Sequence, residues 1–468
     1  MNKLFARQLF LIPFITFFVL HIVSYATFGY ISLLREIIFL FILFFSLFLG
    51  LKNINWLLGI VAIELLAGSS GGLFEYNNIS LRLALLALLL TVYAVFHARK
   101  HPRKGLFLGF SGVFVTLTVL GAFRGVLAQN TAQAIFADTV PVLFLLMAFP
   151  LSDFFKKYTK EEIFAMLYWL VLGAVWAVFL GTLILFILYS SGAAVLQAPL
   201  YDWIRNWLAG KITFLGEGYY RIVIPFFLPI SILTPWMFWY SMRILKKWPG
   251  RIAALTPFFA LPAFHLSRGL ILGIAAGFFV FIFFKKWKEM FALGITFAAG
   301  FVLSFALIHF VASSGQSFGF NTLFGRGAGV IEQGVEESAD TRRLLFKPLV
   351  QSIQDAPFFG HGLGFMVSYY NPYVQKMIST SHLDWGYLEL LTEGGIVPTI
   401  LLFLSLVWLV VRVFKAPQPV ALFTVSTLAV ILTSQLVMQS LFHVYGMVIL
   451  ACILALYDAN IHRSATSS

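Results

Sequence analysis

The chain has 468 residues, 60% of them hydrophobic and only 11% charged, so it lacks the polar surface that one large soluble core would need. Apolar runs of 18 or more residues recur along its length, the mark of a polytopic helical membrane protein. The formal net charge of +13 is not a nucleic-acid footprint, because the basic residues gather in short linkers between apolar runs.

In chain order, the basic start "MNKLFARQ" leads into a run too long for a signal sequence, with no small-residue cleavage site after it, and is expected to be the first membrane helix. Apolar segments are placed at roughly 9–28, 31–50, 54–70, 81–98, 105–122, 134–151, 163–190, 222–243, 251–266, 269–285, 290–311, 393–412, 419–437 and 440–457, about fourteen helices. With a cytoplasmic N-terminus, alternate counting puts "HARKHPRKG", "DFFKKYTKEE", "RILKKWPGR", "KKWKE" and "RVFKAPQP" on the cytoplasmic side, as the positive-inside rule requires. The same parity sends two polar segments outside: about thirty residues from Ser191 to Tyr220 and about eighty from Ala312 to Thr392. The expected fold is therefore an all-α polytopic transmembrane helical bundle of about 12–14 helices with one long extracytoplasmic loop containing short surface helices. Its parts are the bundle at 1–311, the loop at 312–392, and the last membrane helices with a cytoplasmic tail at 393–468. No period repeats, and the two halves show no matching pair of broken helices, which argues against an inverted-repeat transporter.

A loop as long as the second outer segment implies a function of its own. From Ala339 to Ile353, Leu344, Leu345, Leu349, Val350 and Ile353 recur at helical spacing, with Asp340 and Thr341 as N-terminal caps of a helix lying along the outer membrane surface. The "APFFGHGLG" that follows reads as a Pro- and Gly-rich turn. Beyond it, a helix carried back to His382 places His382, Glu389 and Glu393 on one polar face able to line a cavity, with Leu383, Leu390 and Leu391 on the other.

Several arginines stand where the positive-inside rule gives no reason for them. Arg221 precedes one span, Arg268 opens another in "SRG", and Arg124, Arg326, Arg342 and Arg343 fall in outer loops. One such arginine is ordinarily a snorkelling anchor, but several on one side suit an anionic ligand bearing a diphosphate, which guanidinium forks bind while staying charged. A helix starting at Ser267 adds its free N–H groups and positive dipole end to such a site. His382 can take a proton from a hydroxyl, and Asp384 is either a second candidate base or the partner that orients the imidazole. Glu64, Asp138 and His309, inside apolar runs, are expensive in lipid and count as functional candidates, with pairing to an Arg the alternative for the two acids. Cys452 is alone, which excludes an intrachain disulfide. No P-loop, kinase set, "GxSxG" or zinc spacing is present. Nor do the outer loops carry an Asp-x-Asp or Asp-x-Glu pair to hold a divalent metal on a diphosphate.

"SRG" at 267–269, an arginine followed by "DAPFFGHGLGF", and "SHLDWGYLELLTEGGIVP" together resemble the O-antigen ligase and polymerase superfamily, over Arg221 to Pro398. The resemblance implies a glycosyltransferase that moves a glycan from an undecaprenyl diphosphate carrier to an acceptor hydroxyl at the periplasmic face of a bacterial cytoplasmic (inner) membrane. It implies no cofactor, no metal and no nucleic acid; the partners are the lipid-linked donor, a glycan or lipid acceptor, and membrane lipid. Arg221 and Arg268 would bind diphosphate, while Arg342, Arg343, Arg326 and Tyr387 would position donor or acceptor. In the family the last motif runs His-Asn-x-Tyr-Leu; here Asp384 stands three residues before Tyr387 and His382 five before it, so either can be the base. The competing class is a lipid-linked oligosaccharide flippase, which would carry its cations in a central cavity between two similar halves.

Overall fold

The computed structural model describes residues 3–28, 32–69, 71–97, 105–192, 194–328, 337–372, 375–381, 383 and 385–466. Helices α1 (Lys3–Thr27), α2 (Ser32–Lys52) and α3 (Ile54–Ala67) come first, then a two-residue pairing of β1 (Glu75–Tyr76) with β2 (Ile79–Ser80). Next are α4 (Leu81–Phe96), α5 (Gly105–Leu127), α6 (Ala132–Leu143), α7 (Ala148–Phe155), α8 (Lys160–Ser190) and α9 (Ala194–Asn206). A hairpin of β3 (Lys211–Phe214) and β4 (Tyr220–Val223) leads to α10 (Phe227–Ile244), α11 (Trp248–His265), α12 (Arg268–Phe279) and α13 (Trp287–Ala312). Then come α14 (Phe320–Ala328), α15 (Glu337–Asp355), a second hairpin of β5 (Val367–Asn371) and β6 (Lys376–Thr380), α16 (Gly386–Gly394), α17 (Ile396–Val413), α18 (Gln418–Ser434) and α19 (Val444–Thr466). Among the described residues, eight helices are long and apolar enough to cross a membrane and four apolar ones are shorter. The chain is an all-α polytopic bundle, and each of the expected apolar segments contains a helix.

Its packing divides into two units: residues 1–101 with 150–320, and residues 102–149 with 321–468. In the first, α1 runs along α8, whose start is fixed by a capping box: the Thr159 hydroxyl accepts from the Glu162 N–H, and Glu162 accepts from the Thr159 N–H at 2.9 Å. Glu64 of α3 is buried and accepts from Arg82 Nε at 2.8 Å, while Arg82 Nη2 donates to the Ser69 carbonyl at 2.6 Å. Glu64 has thus found an arginine and holds α3 to α4. His309 of α13 is buried and stacks on Tyr219 at 5.2 Å between ring centroids, with Glu217 Oε2 3.6 Å from its Nε2.

In the second unit, α17 packs on α5, and α19 on α6. The long polar segment has a small core of its own, in which Leu345 and Leu349 of α15, Val367 and Tyr369 of β5, and Leu383 are buried together. The apolar face of α15, the helix expected to lie along the outer membrane surface, is covered by the hairpin, because alternate residues of β5 turn inward to meet it. Asp340 is not a cap: α15 begins at Glu337, and Asp340 pairs with Arg343 at 2.9 Å one turn along. The helix carried back to His382 is also corrected, since α16 starts at Gly386 and ends at Gly394, and the following span begins at Ile396 and not at 393.

Candidate functional site

In the first unit the site grows from the junction of α11 and α12. Leu266 adopts a left-handed conformation (φ 47°) that ends α11 and turns the chain into Ser267, the residue before α12. The Ser267 hydroxyl caps none of the first-turn N–H groups, and Arg268 is the first residue of α12. Arg221 reaches the same junction from β4, its Nε donating to the His265 carbonyl at 2.7 Å. Arg221 therefore lies in a strand and not at the end of a helix: α10 starts only at Phe227, and the register Thr213↔Arg221 fixes its place. Two expected diphosphate ligands are thus gathered at one turn, with only Leu266 and Ser267 separating the residue whose carbonyl holds one from the backbone of the other.

The second unit builds a different structure from the "APFFGHGLG" turn. Its backbone is stitched to the α16–α17 junction and to α5: the N–H groups of His361, Gly362 and Leu363 donate to the carbonyls of Thr392, Glu393 and Gly121 at 2.8, 2.9 and 3.0 Å. In return, the N–H groups of Ile396 and Val397 donate to the carbonyls of Pro357 and Phe358 at 2.8 and 3.0 Å. Gly362 is required here, because its φ is +83° and a Cβ would sit 2.1 Å from the Gly125 nitrogen. Arg124 lies in the last turn of α5 and not in a loop, and its Nε donates to the Gly360 carbonyl at 2.5 Å. Asn130 Nδ2 donates to the Leu363 carbonyl at 2.9 Å. His361 Nε2 lies 2.8 Å from the Ser352 carbonyl and its ring stacks on Phe365 at 4.2 Å.

Two acids meet at this turn. Asp138 Oδ2 and Glu393 Oε1 both accept from the Gly364 N–H, at 2.7 and 3.0 Å, and the two carboxyl groups are hydrogen-bonded to each other. Burial, above all, and the neighbouring Asp138 and Glu389 push the Glu393 carboxyl well above the ordinary carboxylate range, with the Gly364 N–H opposing them. The pair forms the polar wall of a cavity of about 420 Å³ whose other lining includes Thr118, Gly121, Arg124, Leu363, Leu390 and Phe442. Glu393 thus does line a cavity, as its spacing suggested, and Glu389 is buried beside it on the same helix. The intramembrane Asp138 pairs with a carboxyl and a backbone amide where an arginine was the alternative.

Of the remaining expected residues, Arg342 and Arg343 lie on α15. Arg343 is neutralised in part by Asp340, and the Arg342 carbonyl accepts from Trp385 Nε1 at 3.2 Å. Tyr387 donates to the Leu432 carbonyl at 2.5 Å, and burial pushes its phenol up to about 12, so its hydroxyl is committed to the protein. The backbone of Arg326 is in α14; its side chain, and the whole of His382 and Asp384, lie outside the described residues.

Residues 252–404 match the family described as O-antigen ligase. That stretch of the chain is similar to O-antigen ligase. That region is about a third of the chain and takes in Arg268, Arg342, Arg343, the glycine turn and the segment with His382, Asp384 and Glu393, whereas Arg221, Arg124 and Asp138 lie before it. A search of curated proteins found no match. With eight helices long and apolar enough to cross a membrane among the described residues, the chain is a multi-pass membrane protein whose stretch from 252 to 404 is similar to O-antigen ligase. What the O-antigen ligase region does not reveal by itself is why its glycine motif and its final glutamate are both present; the Gly364 amide shared by Asp138 and Glu393 joins them physically.

Proposed function

We propose that the protein transfers a glycan from an undecaprenyl diphosphate carrier to an acceptor hydroxyl on the periplasmic side of the inner membrane. The observation that carries this reading is the α11–α12 junction, where Arg221 is tied to the His265 carbonyl and Arg268 opens α12 with its first turn uncapped by Ser267. A guanidinium pair beside a helix N-terminus suits a diphosphate. In this mechanism the acceptor hydroxyl gives its proton to His382 or Asp384, its oxygen bonds to the anomeric carbon from the side opposite the carrier, and the carbon–oxygen bond to the diphosphate breaks. The electron pair leaves on the diphosphate oxygen, where Arg221 and Arg268 stabilise the growing charge in place of a metal. Direct displacement inverts the anomeric centre. Arg342, Arg343 and Arg326 are assigned to positioning glycan.

The test is transfer of a lipid-linked glycan by membrane vesicles carrying variants. Arg268→Ala is expected to lower kcat/KM by on the order of a hundredfold or more, the scale seen when one stabilising donor is removed, while the protein stays inserted at the native level. Arg268→Lys, which keeps the charge but loses the fork, should fall between the two. Native activity in Arg268→Ala would refute the diphosphate role. In the same assay the base is whichever of His382→Ala and Asp384→Ala shows the larger loss.

A further inference from the structure

The two carboxyl groups at the glycine turn are used by nothing in the mechanism above. Their oxygens converge on a single N–H, at 2.7 Å from Asp138 and 3.0 Å from Glu393, and the groups also bond to each other. Two carboxylates cannot bond to each other without a proton between them, and two negative charges so close, Glu393 buried and Asp138 half-buried, cannot both persist. The groups that face the pair are Glu389 from α16, which adds like charge, and Arg124 from α5, whose Nε is bonded to the Gly360 carbonyl; His361 of the turn itself is bonded to Ser352.

The place of the pair in the chain gives it leverage. The turn it grips runs directly into β5, and β6, paired with β5 throughout, ends at Thr380, two residues before His382. Glu393 itself stands near the end of α16, which begins two residues after Asp384. Both ends of the candidate base segment are therefore anchored at one latch. We infer that Asp138 and Glu393 are positioning residues that share one proton, and that in this singly protonated form they lock the glycine turn and set the segment carrying the base. This rests on the transfer reading above for its effect on activity, and on the geometry alone for the proton.

The sign of the pH dependence follows from the shared proton. Folded protein holds it at pH values where an ordinary carboxyl, near 4.5, has released it, so the singly protonated latch persists above the ordinary carboxylate range and is lost as pH rises through the raised value. Three measurements on the full-length protein in membranes test this. An infrared band of a protonated carboxyl is expected in the native protein at neutral pH, bleaching as pH rises and missing in Glu393→Gln; its absence from the native protein overturns the proposal, whatever the reaction turns out to be. Native transfer should fall on the alkaline side, and Glu393→Gln, a neutral group that still donates to Asp138, should lose that fall; an unchanged alkaline limb in this variant refutes the latch. Glu393→Ala should reduce kcat on the order of tenfold to a hundredfold through misplacement of the base segment, with KM for the donor much less affected and activity recovered in Glu393→Gln. If both quantities change together in Glu393→Ala, or Glu393→Gln is no better, the role is overturned.

Discussion

At the scale of single residues, the polar groups within apolar sequence sort by what they face. Glu64 and Arg82 are both buried and paired at 2.8 Å, a contact that is weak as a net stabiliser but expensive to break on one side. Glu64→Leu is therefore expected to reduce stability by about 3–5 kcal/mol through the stranded Arg82, read as a lower unfolding temperature in detergent. The double variant Glu64→Leu with Arg82→Met should recover most of that loss, and no recovery would mean that the pair does more than satisfy itself. Arg221 and Arg268 differ in place: Arg221 donates to the His265 carbonyl at the α11–α12 turn, and Arg268 is the first residue of α12.

At the scale of elements, the helices were legible because apolar runs of membrane length leave few other choices. The hairpins were not, since strands of two to five residues carry too short an alternation to be told from loop; the end of β4 fell inside the span expected at 222–243, so Arg221 read as a residue preceding a helix. The candidate site was legible in part. Arg268 and the glycine motif were visible as residue types in order, and Asp138 as an acid in a costly place. That Asp138 and Glu393 meet at Gly364 was not, because one sequence contains no record of a contact between residues 226 positions apart. The glycine turn gives an element-scale prediction. Gly362→Ala places a Cβ against the Gly125 nitrogen and should abolish the turn. Gly216→Ala has a comparable positive φ in the first unit's hairpin but open space around it, so it should lose only about 1–2 kcal/mol. Yields of folded protein and thermal unfolding compare the two, and equal effects would show that backbone conformation, and not close packing, is what Gly362 supplies.

At the scale of the whole molecule, the basic linkers and the two polar segments make a prediction about sidedness that covalent labelling checks. In a Cys452→Ser background, Ser368→Cys on β5 should react with a membrane-impermeant maleimide in cells whose outer barrier is opened, while Lys415→Cys, after α17, should react only once the inner membrane is permeabilised. The reverse pattern would invert the topology and with it the side on which transfer takes place. The second unit is assembled from residues 102–149 and 321–468, and that discontinuity has a consequence in time. Asp138 enters the membrane with α6, yet its partner amide is 226 residues downstream; at roughly 5–20 residues per second of synthesis, an acid in an apolar helix waits on the order of ten to forty seconds for its partner. For that interval the nascent chain depends on the insertion machinery, or on protonation of Asp138 itself, to keep α6 in place.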